Sequence, residues 1–134
     1  MISTKGRYAI RVMLDLAEQA ANENDGFIPL KDIAERQDIS KKYLEIIVKE
    51  LVVAELVDSA SGKGGGYKLN RPAEKYTLGQ IIETMEGPLA PVACLADKKY
   101  KCKRKSRCKT LPLWTEYDQL THDFFYSKKL SDLL

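Results

Sequence analysis

Apolar residues at helical spacing predict the first element of the chain, over residues 3–22. An i, i+3, i+4, i+7 pattern places apolar side chains on one face of a helix, which then packs against a core. Ile10 and Leu14 lie off this face and indicate contact with a second surface. Turn-forming residues over positions 22–26 end the helix. Its predicted apolar face consists of Ala9, Val12, Met13, Leu16, Ala17 and Ala20.

Two further apolar patterns predict a helix-turn-helix. The first helix has an apolar side that ends near Gln37, and residues 37–39 form the break. Ser40 can cap the second helix, because its hydroxyl can accept a hydrogen bond from a free first-turn amide. A helix, a short turn and a second helix with one polar face is the helix-turn-helix pattern. The apolar positions are Leu30, Ile33 and Ala34 in the first helix, and Leu44, Ile47, Val48 and Leu51 in the second.

A β-hairpin is predicted next. Segments 56–60 and 66–69 alternate apolar and polar residues, and they flank the glycine-rich stretch Ser61–Gly66. Glycines permit the positive φ that a tight reversal needs. A hairpin after a helix-turn-helix forms the wing of a winged helix. A flexible linker is the alternative, but linkers seldom lie between strands of matched length.

Two more helices follow the hairpin. Thr77 and Gln80 form a capping box, which opens a helix that Gly87-Pro88 ends. The apolar positions of that helix are Leu78, Ile81, Ile82 and Met85. The last helix is predicted from about Leu111 to Tyr126. A coiled-coil seam is indicated there by the spacing of Leu113, Tyr117, Leu120 and Phe124.

The predicted fold is mostly α with a small β-hairpin wing. Residues 1–76 form a winged helix-turn-helix, and residues 77–134 add a helix, a cysteine loop (94–108) and a long dimerisation helix. With Trp114 and Phe125 beside the seam, the last helix carries more apolar surface than a small domain can cover. We therefore expect a homodimer.

Composition narrows the class of protein. A chain of 134 residues with 44% hydrophobic residues suits one small domain with an appended dimerisation element. No stretch approaches the ~20 consecutive apolar residues of a membrane span, and the first residues lack the order of a signal peptide. We expect a cytoplasmic protein with no membrane partner. Because the net charge is only +3, the position of the basic residues matters more than their sum.

All three cysteines lie in one basic loop, as Cys94, Cys102 and Cys108. In a reducing compartment such clustered cysteines indicate metal ligands or redox sensors, since structural disulfides are rare there. Thiolates bind soft or borderline metals, and three in a short loop are typical of iron–sulfur or zinc sites. Nearby cations favour the thiolate form and offset the negative charge of a cluster. These cations are Lys98, Lys99, Lys101, Lys103, Arg104, Lys105 and Arg107.

The second helix of the helix-turn-helix can contact DNA. An α-helix fits the major groove, where Lys41, Lys42 and Lys49 would attract phosphates regardless of sequence. Tyr43 and Glu45 can discriminate bases, since a glutamate accepts from the amino group of cytosine. For any single lysine, an ordinary solvated surface is the alternative. Further backbone contacts are expected from Lys5, Arg7 and, at the wing tip, Lys63.

Four motifs occur in the chain in a recognisable order: Ser3–Ala9, Asp38–Glu45, Gly62–Tyr67 and Glu86–Val92. With the three cysteines and Leu113-Trp114 that follow them, they resemble bacterial winged-helix regulators of the IscR, NsrR and CymR type. The resemblance covers nearly the whole chain. It implies a homodimeric transcription factor that places its recognition helix in the major groove and its wing in the minor groove of an operator.

The resemblance also implies which residues contact DNA. Such regulators contact DNA at the positions of Ser40, Lys42, Tyr43 and Glu45. Two departures matter. The position before the wing glycines, often arginine in these proteins, is Ser61, which leaves the minor-groove contact to Lys63. Ile46 stands where the IscR branch carries glutamine, so the operator of that branch is not expected here.

In cluster-binding members of this family, three cysteines at this place hold an iron–sulfur cluster. The resemblance therefore implies a [2Fe–2S] or [4Fe–4S] cluster at Cys94, Cys102 and Cys108, with an unknown fourth ligand. Leu111 occupies the position of the histidine ligand of the IscR branch. Tyr8 corresponds to the helix-one residue that other branches supply from the partner subunit. We interpret His122, the single histidine, as a helix surface residue.

Three other interpretations of the loop stay open. The first is a direct thiol redox switch, and the second is a zinc site. The third is a cofactor-free loop in a regulator that responds to a protein partner, as the CymR type does through a cysteine-synthesis enzyme. An enzyme or electron carrier is a hypothesis from another class. The absence of Cys-x-x-Cys, of a nucleotide-binding glycine motif and of a histidine near the cysteines argues against it. The remaining alternative is an interaction module that does not bind DNA.

Overall fold

A computed structural model describes residues 1–24 and 26–134. It confirms the predicted mostly α fold with a β-hairpin wing. No helix in these two ranges combines the length and apolar character that crossing a membrane requires. The helices are α1 Thr4–Ala21, α2 Leu30–Gln37, α3 Lys41–Val53, α4 Leu78–Glu86, α5 Ala93–Ala96 and α6 Leu111–Ser127. The strands are β1 Val57–Ala60 and β2 Gly66–Leu69, and short 3₁₀ turns lie at Ala73–Lys75, Lys105–Arg107 and Leu130–Leu133.

Helix α1 is the centre of the core. It starts where the Ser3 hydroxyl accepts a hydrogen bond of 3.1 Å from the Gly6 amide. Its predicted apolar face is buried except for Ala20, which is exposed because the helix ends one residue later. Ile10 and Leu14 are partly buried against the core, which confirms the second contact surface of α1.

Helices α2 and α3 form the predicted helix-turn-helix. The turn passes through Asp38, whose φ of 53° is left-handed, and Ser40 caps α3 by accepting from the Tyr43 amide at 3.2 Å. The predicted apolar face of α3 is fully buried. The polar face is therefore free to contact a partner.

The wing is a two-stranded antiparallel hairpin paired from Val57↔Leu69 to Ala60↔Gly66. Leu56, predicted as the first strand residue, is buried but precedes the strand. At the other end Gly66 has a φ of +147°, and a Cβ there would overlap the Ile28 carbonyl. Only glycine allows this approach, which joins the hairpin to the segment before α2.

The base of the wing and the chain end meet at Tyr76. This residue is fully buried, and its hydroxyl donates to the Leu56 carbonyl at 2.7 Å and accepts from the Asn70 amide at 3.1 Å. The Leu130 amide in turn donates to the Tyr76 carbonyl at 3.0 Å, and the Leu130 side chain is fully buried. The C-terminal residues therefore complete the core of the N-terminal part.

Helix α4 opens with the predicted capping box, in which Thr77 and Gln80 satisfy each other's amides at 3.1 and 3.2 Å. It packs against α1 and buries Ile81 and Met85 in the same core. The core therefore contains residues from both sides of the predicted boundary between residues 76 and 77. The division of the chain into two parts at that boundary stays a prediction.

Candidate nucleic-acid interface and cysteine loop

The exposed face of α3 is the candidate DNA-binding surface. Lys41, Lys42, Glu45 and Lys49 are all exposed on it, as the sequence predicted. Tyr43 is half-buried, because its ring packs edge-on against Tyr8 of α1, with the ring centroids 5.7 Å apart. The face therefore combines exposed charged side chains with one half-buried aromatic ring that packs on α1. Their roles in DNA binding stay a prediction.

The other residues predicted to contact DNA differ in whether their side chains are exposed or already engaged within the chain. Ser40 has its hydroxyl engaged as the cap of α3. Lys5 forms an ion pair with Glu50 and so joins the start of α1 to the end of α3. Arg7 is exposed and donates to the Thr4 hydroxyl at 3.0 Å. Lys63 is exposed at the wing tip. Of these, Arg7 and Lys63 have the more accessible charges.

A buried carboxylate fixes the helix-turn-helix against α1. Asp15 is only 1% exposed and accepts from Arg36 at 2.8 and 3.0 Å and from Gln37 at 2.9 Å. The hydrogen bond to Asp15 raises the pKa of Arg36. Arg11 also donates to Gln37, at 3.2 Å, and its guanidinium lies over the Tyr8 ring. This network holds the turn before α3. The sequence patterns did not predict this network. The one sign of it in the sequence is a single acidic residue on the apolar face of α1.

The segment that carries the cysteines starts after α4, beside the start of α1. The Glu86 carboxylate at the end of α4 accepts a hydrogen bond from the Ser3 backbone amide and lies against Gly6. Gly87, with a φ of +76°, then turns the chain away from α4. The entry to the cysteine loop is thus joined to the helix turn that carries Lys5 and Arg7.

The three thiols are half-buried and free of disulfides. Cys94 lies in α5, Cys102 in an irregular stretch and Cys108 after the 3₁₀ turn Lys105–Arg107. Within the described ranges, no three His, Cys, Asp or Glu side chains are positioned to hold a metal ion together. A single chain in this conformation does not bring the predicted ligands together.

The chemistry of the thiols nevertheless suits metal binding. Cys108 Sγ lies 3.4 Å from the Thr110 hydroxyl. Hydrogen bonds from the Thr110 side chain and then its backbone amide lower the pKa of Cys108. A lower pKa increases the fraction of thiolate, which is the form that binds metals and reacts as a nucleophile. The three thiol sulfurs are donors that fit a soft or borderline metal. The loop has to rearrange to bring them together.

Helix α6 exposes the predicted seam. None of its residues is buried, and each seam residue is more than half exposed. Tyr126 holds its C-terminal end on α4, where the ring lies so close to Gly79 that a Cβ would overlap it. The Tyr126 hydroxyl donates to Glu83 at 2.6 Å. His122 is exposed and stacked on Tyr126 at 4.3 Å, which agrees with its interpretation as a surface residue.

This chain is similar over nearly its full length to known transcriptional regulators. The Rrf2 family profile, described as an iron-dependent transcriptional regulator, matches residues 2–134. The HTH-type transcriptional regulator IscR of Erwinia tasmaniensis is 35% identical over 133 residues, which cover 99% of this chain and 78% of that protein. IscR of Photobacterium profundum is 36% identical over 133 residues, covering 99% and 74%.

Solved structures show the same relationship. CymR, the global cysteine regulator of B. subtilis, has a TM-score of 0.76 at 34% identity, over 99% of this chain and 95% of that one. T. potens IscR has a TM-score of 0.73 at 32% identity, over 99% and 85%. These matches confirm a transcriptional regulator with a winged-helix fold, and they confirm that the chain is not an enzyme. The chain belongs to the Rrf2 family of transcriptional regulators.

Proposed function

We propose that this regulator binds duplex operator DNA as a homodimer, and that the state of the Cys94–Cys108 loop controls its affinity. One observation carries the proposal. The segment that contains the loop connects Glu86, which is hydrogen-bonded to the start of α1, with α6, whose apolar seam is exposed. The candidate sensor therefore lies between the DNA-binding helices and the candidate dimer contact.

The exposed seam supports a homodimer. Leu113, Tyr117, Leu120 and Phe124 repeat at coiled-coil spacing on one side of α6. Contiguous apolar surface of this kind marks a contact with another protein. A second copy of α6 offers a complementary seam, because two identical seams can pair about a two-fold axis.

DNA binding would use the two chemically different sets of residues on and around α3. Lys41, Lys42 and Lys49 attract phosphates and place the helix on the duplex. Tyr43 and Glu45 reach base edges and supply sequence discrimination. The remaining proposed contacts are Lys5, Arg7, Ser40 and Lys63. A dimer would present two such surfaces to two half-sites.

Cys94, Cys102 and Cys108 would hold an iron–sulfur cluster, of either the [2Fe–2S] or the [4Fe–4S] type. When bound, the cluster supplies sensitivity to oxidants and to ligands of iron. The iron-dependent description of the family and the similarity to IscR proteins support this proposal. The fourth ligand stays unassigned, since Leu111 offers no donor atom.

The link from the loop to DNA is geometric. Bringing three thiols together reorders the segment between α4 and α6. That segment is fixed to α1 through Glu86, so its rearrangement changes how the two recognition helices are spaced. Half-sites lie a fixed helical distance apart, and a change in spacing therefore alters affinity.

A cluster-free regulator, controlled by thiol oxidation or by a protein partner, is the second candidate. The lowered pKa of Cys108 favours it, because a thiolate reacts readily with oxidants. A structure of Staphylococcus aureus CymR in an oxidized form, 34% identical with a TM-score of 0.71, supports the same alternative.

A gel shift with the DNA upstream of the protein's own gene tests the proposal. Anaerobically purified protein is expected to shift this DNA and to show the visible absorption, iron and sulfide of a cluster. A colourless, iron-free protein that cannot be reconstituted, yet shifts DNA in an oxidant-dependent way, would support the second candidate. A protein that shifts no DNA in either state would contradict both.

A further inference from the structure

The positive charge of the chain is concentrated in the cysteine loop. The loop contains seven lysine and arginine residues, an eighth, Lys109, follows it directly, and the only acid beside them is Asp97. The net charge of the whole chain is +3, so the rest of the chain is net negative. The winged helix thus contributes little long-range attraction for a polyanion. The loop contributes most of it.

These eight charges are exposed, and none forms an ion pair with another described residue. Each of the side chains is exposed. The ion pairs across residues 1–24 and 26–134 join Lys5 with Glu50, Arg36 with Asp15 and His122 with Asp123, and none involves the loop. Asp97 uses a carboxylate oxygen to accept from the Lys99 backbone amide. The loop therefore keeps its charge available for a partner.

The segment that leads to the loop starts beside the first turn of α1. Its connector leaves α4 beside Ser3, through the hydrogen bond of Glu86. The next turn of α1 carries Arg7, and the neighbouring Tyr8 packs against Tyr43 of the recognition helix. A chain that leaves the body at this end of α1 is tethered close to the duplex that α3 would contact.

We propose that the basic loop is a second, sequence-independent contact to DNA phosphates. The proposal rests on DNA binding through α3 and adds a site outside the winged helix. Phosphates accept lysine and arginine without demanding a fixed geometry, which suits a loop with little regular structure. Lysine is depleted in protein–protein interfaces, which use apolar anchors, and Tyr100 is the one large apolar side chain exposed in this loop. DNA is therefore favoured over an acidic protein.

The salt dependence of DNA binding tests this contact. The variant is Lys103→Gln with Lys105→Gln, and the matched control is Lys75→Gln with Lys129→Gln, which removes the same charge from exposed positions outside the loop. Full-length proteins with equal iron content are titrated onto a fluorescein-labelled random-sequence duplex at increasing KCl. The slope of log K against log salt is expected to decrease by about 0.9 for each phosphate that the variant no longer neutralises, up to about 3.6 for the four lysines of a dimer.

The control is expected to keep the wild-type slope, and Lys103→Arg with Lys105→Arg is expected to restore it. A loop variant with the wild-type slope would overturn the proposal. If that variant instead lost binding to polyglutamate, the charge would serve an acidic protein. If the wild-type protein did not bind DNA at all, the proposed function itself would be contradicted. This outcome differs from that of a loop variant with the wild-type slope, which contradicts only the loop contact.

Discussion

The N-terminal body is residues 1–86, and the segment that follows it is residues 88–127. The two regions differ in how far their apolar side chains and candidate ligands find partners within a single chain. In the body, α1, α3 and α4 share a core with fully buried residues such as Leu51 and Ile81. In α6 no residue is buried, and the three thiols before it are not brought together. A single chain can therefore stabilise the body, whereas the segment depends on what binds to it.

Charge divides the two regions in the same way. The body pairs its most buried charge, Asp15, with Arg36. The cysteine loop leaves its cations unpaired within the described ranges. Buried apolar and paired polar groups specify one conformation, while unpaired charges and exposed apolar residues are available to partners. A change in the segment should alter assembly and DNA binding, and a change in the body should alter stability.

The largest effect is expected from Leu120→Glu in the seam. A carboxylate at the centre of a paired apolar seam is desolvated without a partner, so the dimer should dissociate. A monomer can occupy only one half-site at a time, so operator binding should weaken by about 100-fold or more. Analytical ultracentrifugation and fluorescence anisotropy measure the two changes.

Gln119→Glu adds the same charge to the same helix outside the seam and is the matched control. It should remain dimeric and bind DNA within about threefold of wild type, as expected for a screened surface charge. A Leu120→Glu protein that stays dimeric would contradict the proposed dimer contact.

Asp15→Ala should destabilise the body by about 3 kcal/mol. The substitution leaves the Gln37 amide and the Arg36 guanidinium without their buried acceptor. Urea unfolding measures the change in the free energy of unfolding. Glu18→Ala removes an exposed acid from the same helix and should change stability by less than about 0.5 kcal/mol. Equal effects of the two substitutions would show that the Asp15 network is not stabilising.

Gly79→Ala tests the junction between the two regions and should cost about 2 kcal/mol. A Cβ at this position overlaps the Tyr126 ring, so α6 must move away from α4. Gly26→Ala is the control, since a Cβ there meets only the Asn24 side chain at 3.7 Å. Thermal unfolding of both variants makes the comparison, and equal melting temperatures would argue against close packing of α4 and α6.

The smallest effect concerns Tyr126 at alkaline pH. Burial, and then the hydrogen bond to Glu83, raises the pKa of Tyr126 to about 12. The folded state favours the protonated hydroxyl, so this stabilisation is complete below about pH 10, the usual tyrosine pKa, and is lost as the pH rises towards about 12. The stability difference between wild type and Tyr126→Phe should shrink across that range. Tyr100→Phe, at an exposed position, is the matched control.

Periodicity predicted the elements that have a local signal. The apolar stripes of α1 and α3, the capping box of α4 and the glycines of the wing each specify a structure over a few neighbouring residues. Ala20 lies in α1 as predicted but is exposed, and Leu56 lies one residue before its strand, because helix and strand ends depend on contacts outside the pattern. The element types were correct.

Contacts between distant residues had no such signal. Tyr76 and Leu130 belong to one core although they are far apart in sequence. The pairing of Lys5 with Glu50 likewise depends on how α1 meets α3. The sequence predicts a site at the three cysteines, but their placement relative to one another depends on backbone conformation in a loop without a repeating pattern.

The most direct test of the account measures operator affinity by fluorescence anisotropy in two states of the same protein, cluster-loaded under anaerobic conditions and iron-free. Cys102→Ala, treated identically, is the comparison. We predict that the Kd of the wild-type protein changes by about tenfold or more between the two states, within the usual range of coupling between sites. The Kd of Cys102→Ala should be the same in both. A wild-type Kd that is identical with and without the cluster would contradict control by the cysteine loop.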